Sequence, residues 1–202
     1  DVLLFRSTDR GRTWARSVAI NDVPGSAREG LHAMAASPSG LVVVAWLDLR
    51  EKGTRVYAAV SRDHGATWTP DTLVYASPSG AVCECCHPSV AIGPGGRVAI
   101  MFRNNLDGHR DMYVAESKDG VTFSSARKLG TGSWILNACP MDGGALAFNA
   151  DGELFEALLL MIRHRVHRVL VRDGAAIVGV LSQLDLMSFV SNHSHIIALQ
   201  IE

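Results

Sequence analysis

The chain has 202 residues, with 19 Lys+Arg against 20 Asp+Glu and a formal net charge of -1. That balance excludes the usual basic nucleic-acid-binding surface, and 48% hydrophobic with 19% charged residues excludes a disordered chain in favour of a sizeable buried core. The longest apolar stretch, Phe155 to Ile162, is interrupted by Glu156 and falls far short of the about 20 residues that span a bilayer, so neither a transmembrane helix nor a membrane partner is expected.

In chain order, short Val/Ala/Ile/Tyr runs alternate with turns: Leu41 to Leu47, Arg55 to Ser61, Arg97 to Phe102 and Asp111 to Ser117. Their length and β-branched or aromatic content predict strands. The turns Ser37-Pro38-Ser39-Gly40, Gly93-Pro94-Gly95-Gly96 and Asn149-Ala150-Asp151-Gly152 place their last glycine 56 residues apart each time. The same offset pairs Tyr57 with Tyr113, Ser61 with Ser117, Asp63 with Asp119 and Cys83 with Cys139. A strict repeat built from short strands predicts propeller blades, about four strands per ~50 residues; a β-sandwich would not need the repeat.

A second motif runs through the same segment. Ser7-Thr8-Asp9-Arg10-Gly11-Arg12-Thr13-Trp14 recurs as Ser61-Arg62-Asp63-His64-Gly65-Ala66-Thr67-Trp68, and again, one residue shorter and ending in Phe, as Ser117-Lys118-Asp119-Gly120-Val121-Thr122-Phe123. Ser and Asp side chains here can accept backbone N–H bonds, Gly takes the special dihedral and Trp can pack beneath, so the motif reads as a self-contained hairpin turn with a structural role.

In an up-and-down sheet these turns and the Gly40, Gly96 and Gly152 turns fall at one end. The opposite end carries Leu47 to Gly53, Arg103 to Asp111, the Cys83-Glu84-Cys85-Cys86-His87-Pro88 run and Asn137 to Asp142. Arg, Asp, Asn, His and Cys therefore converge on one rim, where ligand sites of closed propellers lie. Substrate-binding candidates are Arg103, Arg110, Arg50, Asp48, Asp111 and Asn104; the competing reading is that Arg–Asp pairs lace loops together. Tyr57 and Tyr113 repeat by blade, as packing residues do.

Cys83, Cys85, Cys86 and Cys139, with His87 beside them, admit three readings: disulfides, a soft-metal site or free buried thiols. The simplest disulfide joins Cys139 to one of the Cys83 to Cys86 group. Cys-x-Cys-Cys is not the spacing of ordinary zinc knuckles.

The composition shifts after Glu153. All four Trp, all four Cys and 17 of 19 Gly lie before Leu154. Beyond it, Phe155, Leu158, Leu159, Ile162 and Val166 recur at helical spacing, predicting a helix from Leu154 to about Arg165. Arg168 to Arg172 and Ala175 to Leu181 read as strands around an Asp173-Gly174 turn, and Ser182 with Asp185 as the cap of a second helix. Two segments are expected, 1–153 and 154–202, joined near 152–155, the seam being natural or an artificial or misassembled join.

Over residues 1–153 the Ser-x-Asp-x-Gly-x-Thr-Trp turns and the runs around Cys83 to Pro88, Met101 to Ser117 and Cys139 to Gly144 resemble the sialidase/BNR-repeat (Asp-box) superfamily, in its bacterial exo-sialidase-like branch. The resemblance implies a mainly β fold: a partial β-propeller of about two and a half four-stranded blades, of a six-bladed type. It further implies glycoside hydrolase ancestry, an extracellular or periplasmic place, no cofactor, and an anionic sugar or glycoconjugate as partner. Enzymes of that kind grip a carboxylate with arginines and use a Tyr nucleophile paired with Glu, plus an Asp acid/base. Arg103 is the first candidate for a gripping arginine, and no Tyr/Glu pair is assignable; because a propeller needs closure to complete its site, about two and a half blades are expected to be inactive alone.

Met161 to Val171 followed by Ile177 to Leu186 resembles the later part of a CBS motif, a small α/β half-module. That resemblance implies a cytoplasmic place and an adenine nucleotide held by Ser182 and Asp185, with a partner CBS module needed to complete the cleft. A plain helix cap is the competing role for the same two residues.

Overall fold

The computed structural model describes residues 1–148, 168–173 and 176–182. Twelve strands are present among them, and the one helical turn is a 3-10 turn at Pro94–Gly96. A first hairpin pairs β1 (Leu3–Arg6) with β2 (Ala15–Ala19). Two four-stranded antiparallel sheets follow, each with strands in sequence order: β3 (Ala27–Ala36), β4 (Val42–Asp48), β5 (Arg55–Ser61) and β6 (Thr72–Tyr75), then β7 (Ser89–Ile92), β8 (Val98–Arg103), β9 (Met112–Ser117) and β10 (Arg127–Lys128). The expected strands occur within a residue or two of their predicted bounds. The 56-residue period is also a period of pairing: Val42 faces Ser61, and 56 residues on Val98 faces Ser117.

The second and third strands are apolar on both faces because both faces are covered. Val43, Ala45 and Leu47 of β4 and Val56, Ala58 and Val60 of β5 share a cluster with Val98, Ile100 and Phe102 of β8 and Ala115 of β9. From the opposite face, Val44, Trp46, Tyr57 and Ala59 pack against Val2 and Ile20 of the first hairpin. The outer face of the next sheet repeats the arrangement, with Ala99, Met101, Met112 and Val114 against Leu129, Leu146 and Phe148. A strand buried on both sides reads as a continuous apolar run rather than an alternating one, and each buried Val, Leu or Phe side chain contributes about 1.5–3 kcal/mol.

Three turns close alike. Ser61 Oγ donates to Asp63 and accepts from Gly65 N, while Asp63 takes the Thr67 backbone N–H and hydroxyl. Ser7, Asp9, Gly11 and Thr13 make the same bonds, and the shorter third copy keeps Ser117 to Gly120 and Asp119 to Thr122. The tryptophans differ: Trp68 packs against the Val44–Trp46 cluster, whereas Trp14 is 62% exposed and bonds back to Gly11 O.

Farther along, β11 (Arg168–Asp173) pairs with β12 (Ala176–Ser182) as an antiparallel hairpin. These are the two strands read from the sequence there, and Ser182 is the last residue of β12. The helices expected at 154–165 and after 182 lie outside the described residues, as does Asp185. No helix among the described residues is long and apolar enough to cross a membrane.

Candidate functional site

The end of the sheets opposite the Ser-x-Asp turns is built by the β4–β5 and β8–β9 loops and by the segments after β6 and β10. Backbone bonds stitch them: Val82 N to Thr54 O at 2.9 Å and Cys83 N to Arg103 O at 3.0 Å. Gly53 lies so close to the β6–β7 connection that a Cβ there would fall on the backbone carbonyl of Gly80, and its φ of +83° already suits glycine alone.

Arg103 ends β8 and is only 3% exposed. Its Nη1 donates to Arg110 O at 2.7 Å and its Nε to Asp142 O at 3.2 Å. Its Nη2 stands 3.5 Å from the carboxylate of Asp142, a side chain 49% exposed. The guanidinium also lies over the Trp134 ring, 5.2 Å from its centre. Arg110 runs alongside, with Nε toward Leu136 O at 3.4 Å and Nη1 3.5 Å from Cys83 Sγ. Buried Asn104 donates from Nδ2 to the Tyr75 hydroxyl at 3.0 Å, and its Oδ1 is buried with no hydrogen-bond partner. Burial raises the Tyr75 phenol above its ordinary value, and nearby Tyr113 adds to this.

Asp111 is committed to holding the 133–134 segment. It accepts from Ser133 Oγ at 2.5 Å, from Trp134 N at 2.8 Å and from Lys128 at 3.3 Å. Burial alone would raise this carboxyl, but those bonds hold it below its usual range.

Arg50 and Asp48 form a different cluster, on the face of β5 toward the first hairpin. Arg50 bonds both oxygens of Asp48 at 2.8 and 2.9 Å, pairs with Asp71, and lies 4.1 Å over the Tyr57 ring. Asp48 also accepts from Trp46 Nε1 and Ser26 Oγ, each at 2.8 Å. Desolvation pushes Asp48 up, but these donors together keep it below the ordinary carboxylate value. For Asp71 desolvation prevails over Arg50, helped by the charge of Asp22, and its pKa is raised. The structure thus brings Arg103, Arg110, Asn104 and the cysteines together, Asp111 adjoins them through Trp134, and the Arg50–Asp48 pair is bound into its own sheet.

Cys85 and Cys139 form a disulfide, while Cys83 and Cys86 are free and buried. The Cys83 and Cys86 sulfurs are 3.3 Å apart, and Cys85 lies 3.8 and 3.9 Å from them. Two free thiols and one disulfide sulfur thus lie within 4.8 Å of one another; exposed His87 lies instead against Gly143, whose missing side chain makes room for the imidazole.

Tyr75, Asp71 and Trp134 were not among the residues singled out from sequence. Asp71 stands 21 residues from Arg50 with no motif linking them. Trp134 could have been flagged as an aromatic in an otherwise polar, Gly-rich stretch.

The BNR repeat-like domain family matches residues 1–175. No curated protein matches the sequence. Among solved structures, a Hadza microbial sialidase is 18% identical with a TM-score of 0.45, over 64% of this chain and 31% of that one. An alpha-L-arabinanase of Penicillium chrysogenum complexed with arabinobiose is 17% identical with a TM-score of 0.47, over 75% and 47%. A mutant of the NanB sialidase from Streptococcus pneumoniae is 15% identical with a TM-score of 0.49, over 75% and 23%. The chain spans less than half the length of each of these proteins.

Proposed function

Because this chain belongs to the BNR repeat-like domain family, we propose that residues 1–153 are part of a sialidase-like, Asp-box β-propeller of glycoside hydrolase ancestry, of the six-bladed type, whose Arg103 rim binds an anionic sugar. One observation carries the reading. The Arg103 guanidinium is buried and aimed by two backbone carbonyls, yet its carboxylate partner among the described residues, Asp142, is held at 3.5 Å on a half-exposed side chain. A ligand carboxylate entering there would exchange with Asp142, and Arg's planar fork suits it. Trp134 beneath the guanidinium and Arg110 beside it add an apolar floor and a second positive charge.

Turnover is a separate matter. Asp48 and Asp111 are each bound to donors, and a propeller completes its site by closing its sheet edges around an axis. Binding at the Arg103 rim is therefore the role proposed for this chain. The Cys85–Cys139 disulfide supports an oxidising compartment, extracellular or periplasmic.

The test is titration with N-acetylneuraminic acid and with a neutral hexosamine, followed by ligand-observed NMR. The anionic sugar should bind, Arg103→Ala should abolish binding, and a fluorogenic sialoside should be left uncleaved. Equal binding of the neutral sugar, or binding indifferent to Arg103→Ala, would refute the site. A second reading joins a non-catalytic propeller to a CBS remnant over 154–202, with Ser182 and Asp185 as the positions that would hold an adenine nucleotide. ATP added to the full chain should then perturb Ser182, and no perturbation at millimolar ATP removes that reading.

A further inference from the structure

Two of the four cysteines are left unused by the sugar-binding reading, and they lie against the disulfide formed by the other two. Exposure grades the set: Cys83 and Cys86 are 0% and 1% exposed, Cys85 is half-buried, and Cys139 is exposed. The inner pair is in sulfur contact at 3.3 Å, and Cys83 Sγ is 3.8 Å from the Cys85 sulfur of the disulfide. We propose that Cys83 and Cys86 are an inner dithiol that exchanges with the Cys85–Cys139 disulfide, relaying electrons between the buried core of the rim and its exposed edge.

The exchange balances within the chain. Cys83 thiolate attacks Cys85 Sγ; a Cys83–Cys85 bond forms, the Cys85–Cys139 bond breaks, and Cys139 leaves as a thiolate. Cys86, deprotonated, then attacks Cys83; the Cys83–Cys86 bond forms and Cys85 leaves. Two electrons have passed from the inner sulfurs to the outer ones, which take up the two protons released, so the inner pair is oxidised and the outer pair reduced. No outside oxidant enters. An external disulfide of the glutathione class can afterwards reoxidise Cys85 and Cys139 from the surface, itself being reduced to two thiols.

The surroundings select Cys83 as the attacking sulfur. The hydrogen bond from Cys86, with the nearby Arg110 and Arg103 charges, lowers the Cys83 thiol to about 6, while the same contact and burial push Cys86 up. Arg110 Nη1 points at Cys83 Sγ from 3.5 Å, and the Asp142 backbone N–H reaches Cys86. Asp142 and Glu84 are the acidic groups of this corner; Asp142 is paired to Arg103 and Glu84 accepts from Thr54. A thiolate beside guanidinium groups is the arrangement that makes a cysteine nucleophilic near neutral pH.

The experiment uses the full chain, isolated without reductant, held at pH 8, quenched in acid and alkylated with iodoacetamide on unfolding. Cleavage after Glu84 places Cys83 on one peptide and Cys85 and Cys86 on the next, and tandem fragmentation between Cys85 and Cys86 then tells which of the two carries the link and which the alkyl group. Expected is a growing fraction in which Cys139 is alkylated and Cys83 is cross-linked to Cys86. Cys83→Ser should lose all release of Cys139. Cys86→Ser should stop at the Cys83–Cys85 link with Cys139 still released, and circular dichroism would verify that both variants fold. If Cys83→Ser does not fold, the Cys86→Ser arrest alone decides. Cys139 never alkylated in the wild type, release that survives Cys83→Ser, or stoichiometric zinc or copper(I) held by the sulfurs with no exchange would each overturn the proposal. None of these outcomes depends on sugar binding.

Discussion

Asp9 and Asp63 carry more of the turn geometry than their exposure suggests. Each binds the hydroxyl and backbone N–H of a threonine four residues on, and the Thr13 contacts, with Ser7, lower Asp9 to about 2. The folded carboxyl is thus more acidic than the unfolded one, near 3.9. Its contribution is complete above the unfolded pKa and is lost as pH falls through about 2. Amide exchange at Thr13 and Thr67 should therefore accelerate as pH is lowered from about 4 toward 2, after correction for intrinsic exchange. Asp63→Asn should remove that pH response at Thr67 and leave it at Thr13; parallel loss at both would refute the local account. Arg50 is a stronger case because it is paired with two carboxylates whose side chains are nearly inaccessible. Arg50→Met would strand both Asp48 and Asp71, and chemical denaturation should show a loss of about 3 kcal/mol, the scale of breaking a buried pair from one side. A loss under about 1 kcal/mol would mean that the pair is solvated in solution. These residues also mark the limit of what could be read without coordinates. The Ser-x-Asp turns are local, closing within four residues, so their roles were legible; Arg50 looked like a ligand-gripping arginine because its partner Asp71 arrives through the next strand pairing.

At the scale of elements, β4, β5, β8 and β9 were legible because they are covered on both faces and repeat. Burial on two sides leaves a run of apolar residues, and the 56-residue offset brings the same pairing back. β3 was less legible: it alternates half-buried and exposed residues and its register breaks between Ala27 and His32, where Gly30 takes a φ of +71°. Ala27 faces Asp48 and His32 faces Trp46, so β3 carries extra residues there that break the period on which strand reading depends. The loops that form the candidate site are fixed by close approach rather than by pattern, and Gly53 shows how tightly. A methyl there would meet the Gly80 carbonyl and force a non-glycine residue into the left-handed region. Gly53→Ala should cost about 2 kcal/mol or more in thermal unfolding. The damage should also spread to the site end, because Val82 and Thr54 are bonded next to this contact. Gly108→Ala is the control: its φ is similarly positive, +84°, but nothing lies near its would-be Cβ, so only the backbone strain, about 1 kcal/mol, is expected. Equal losses in the two variants would show that the Gly53–Gly80 contact contributes nothing.

Over the whole molecule, the sheets pack face against face while the segment beyond β10 is mostly exposed between Gly130 and Asp142. The Cys85–Cys139 disulfide fastens this segment across a separation of 54 residues, and with it the Asp142 that faces Arg103. In the chain-entropy account a closed loop of that length stabilises the fold by about 4 kcal/mol, because the unfolded chain loses the freedom to separate its ends. That it joins Cys139 to the Cys83–Cys86 run was foreseeable from the 56-residue equivalence of Cys83 and Cys139; which cysteine is used was not, since it turns on how the Cys83 to Cys86 bend presents three sulfurs within 4.8 Å. Cys139→Ser should lower stability to denaturant by up to about 4 kcal/mol, and reductant should then have little further effect on the variant while destabilising the parent chain by a similar amount. The same substitution separates packing from function at the rim. If the disulfide only ties the chain, Arg103, which ends a buried strand and bonds Arg110 O, keeps its place and anionic-sugar binding weakens less than tenfold. If binding requires the Asp142 segment to be held, affinity falls along with stability, and Asp142→Asn in the intact disulfide background, which reduces the carboxylate competition for Arg103, should by contrast tighten binding. Opposite responses to these two variants would locate the ligand at the Arg103–Asp142 gap; parallel weakening would place it elsewhere.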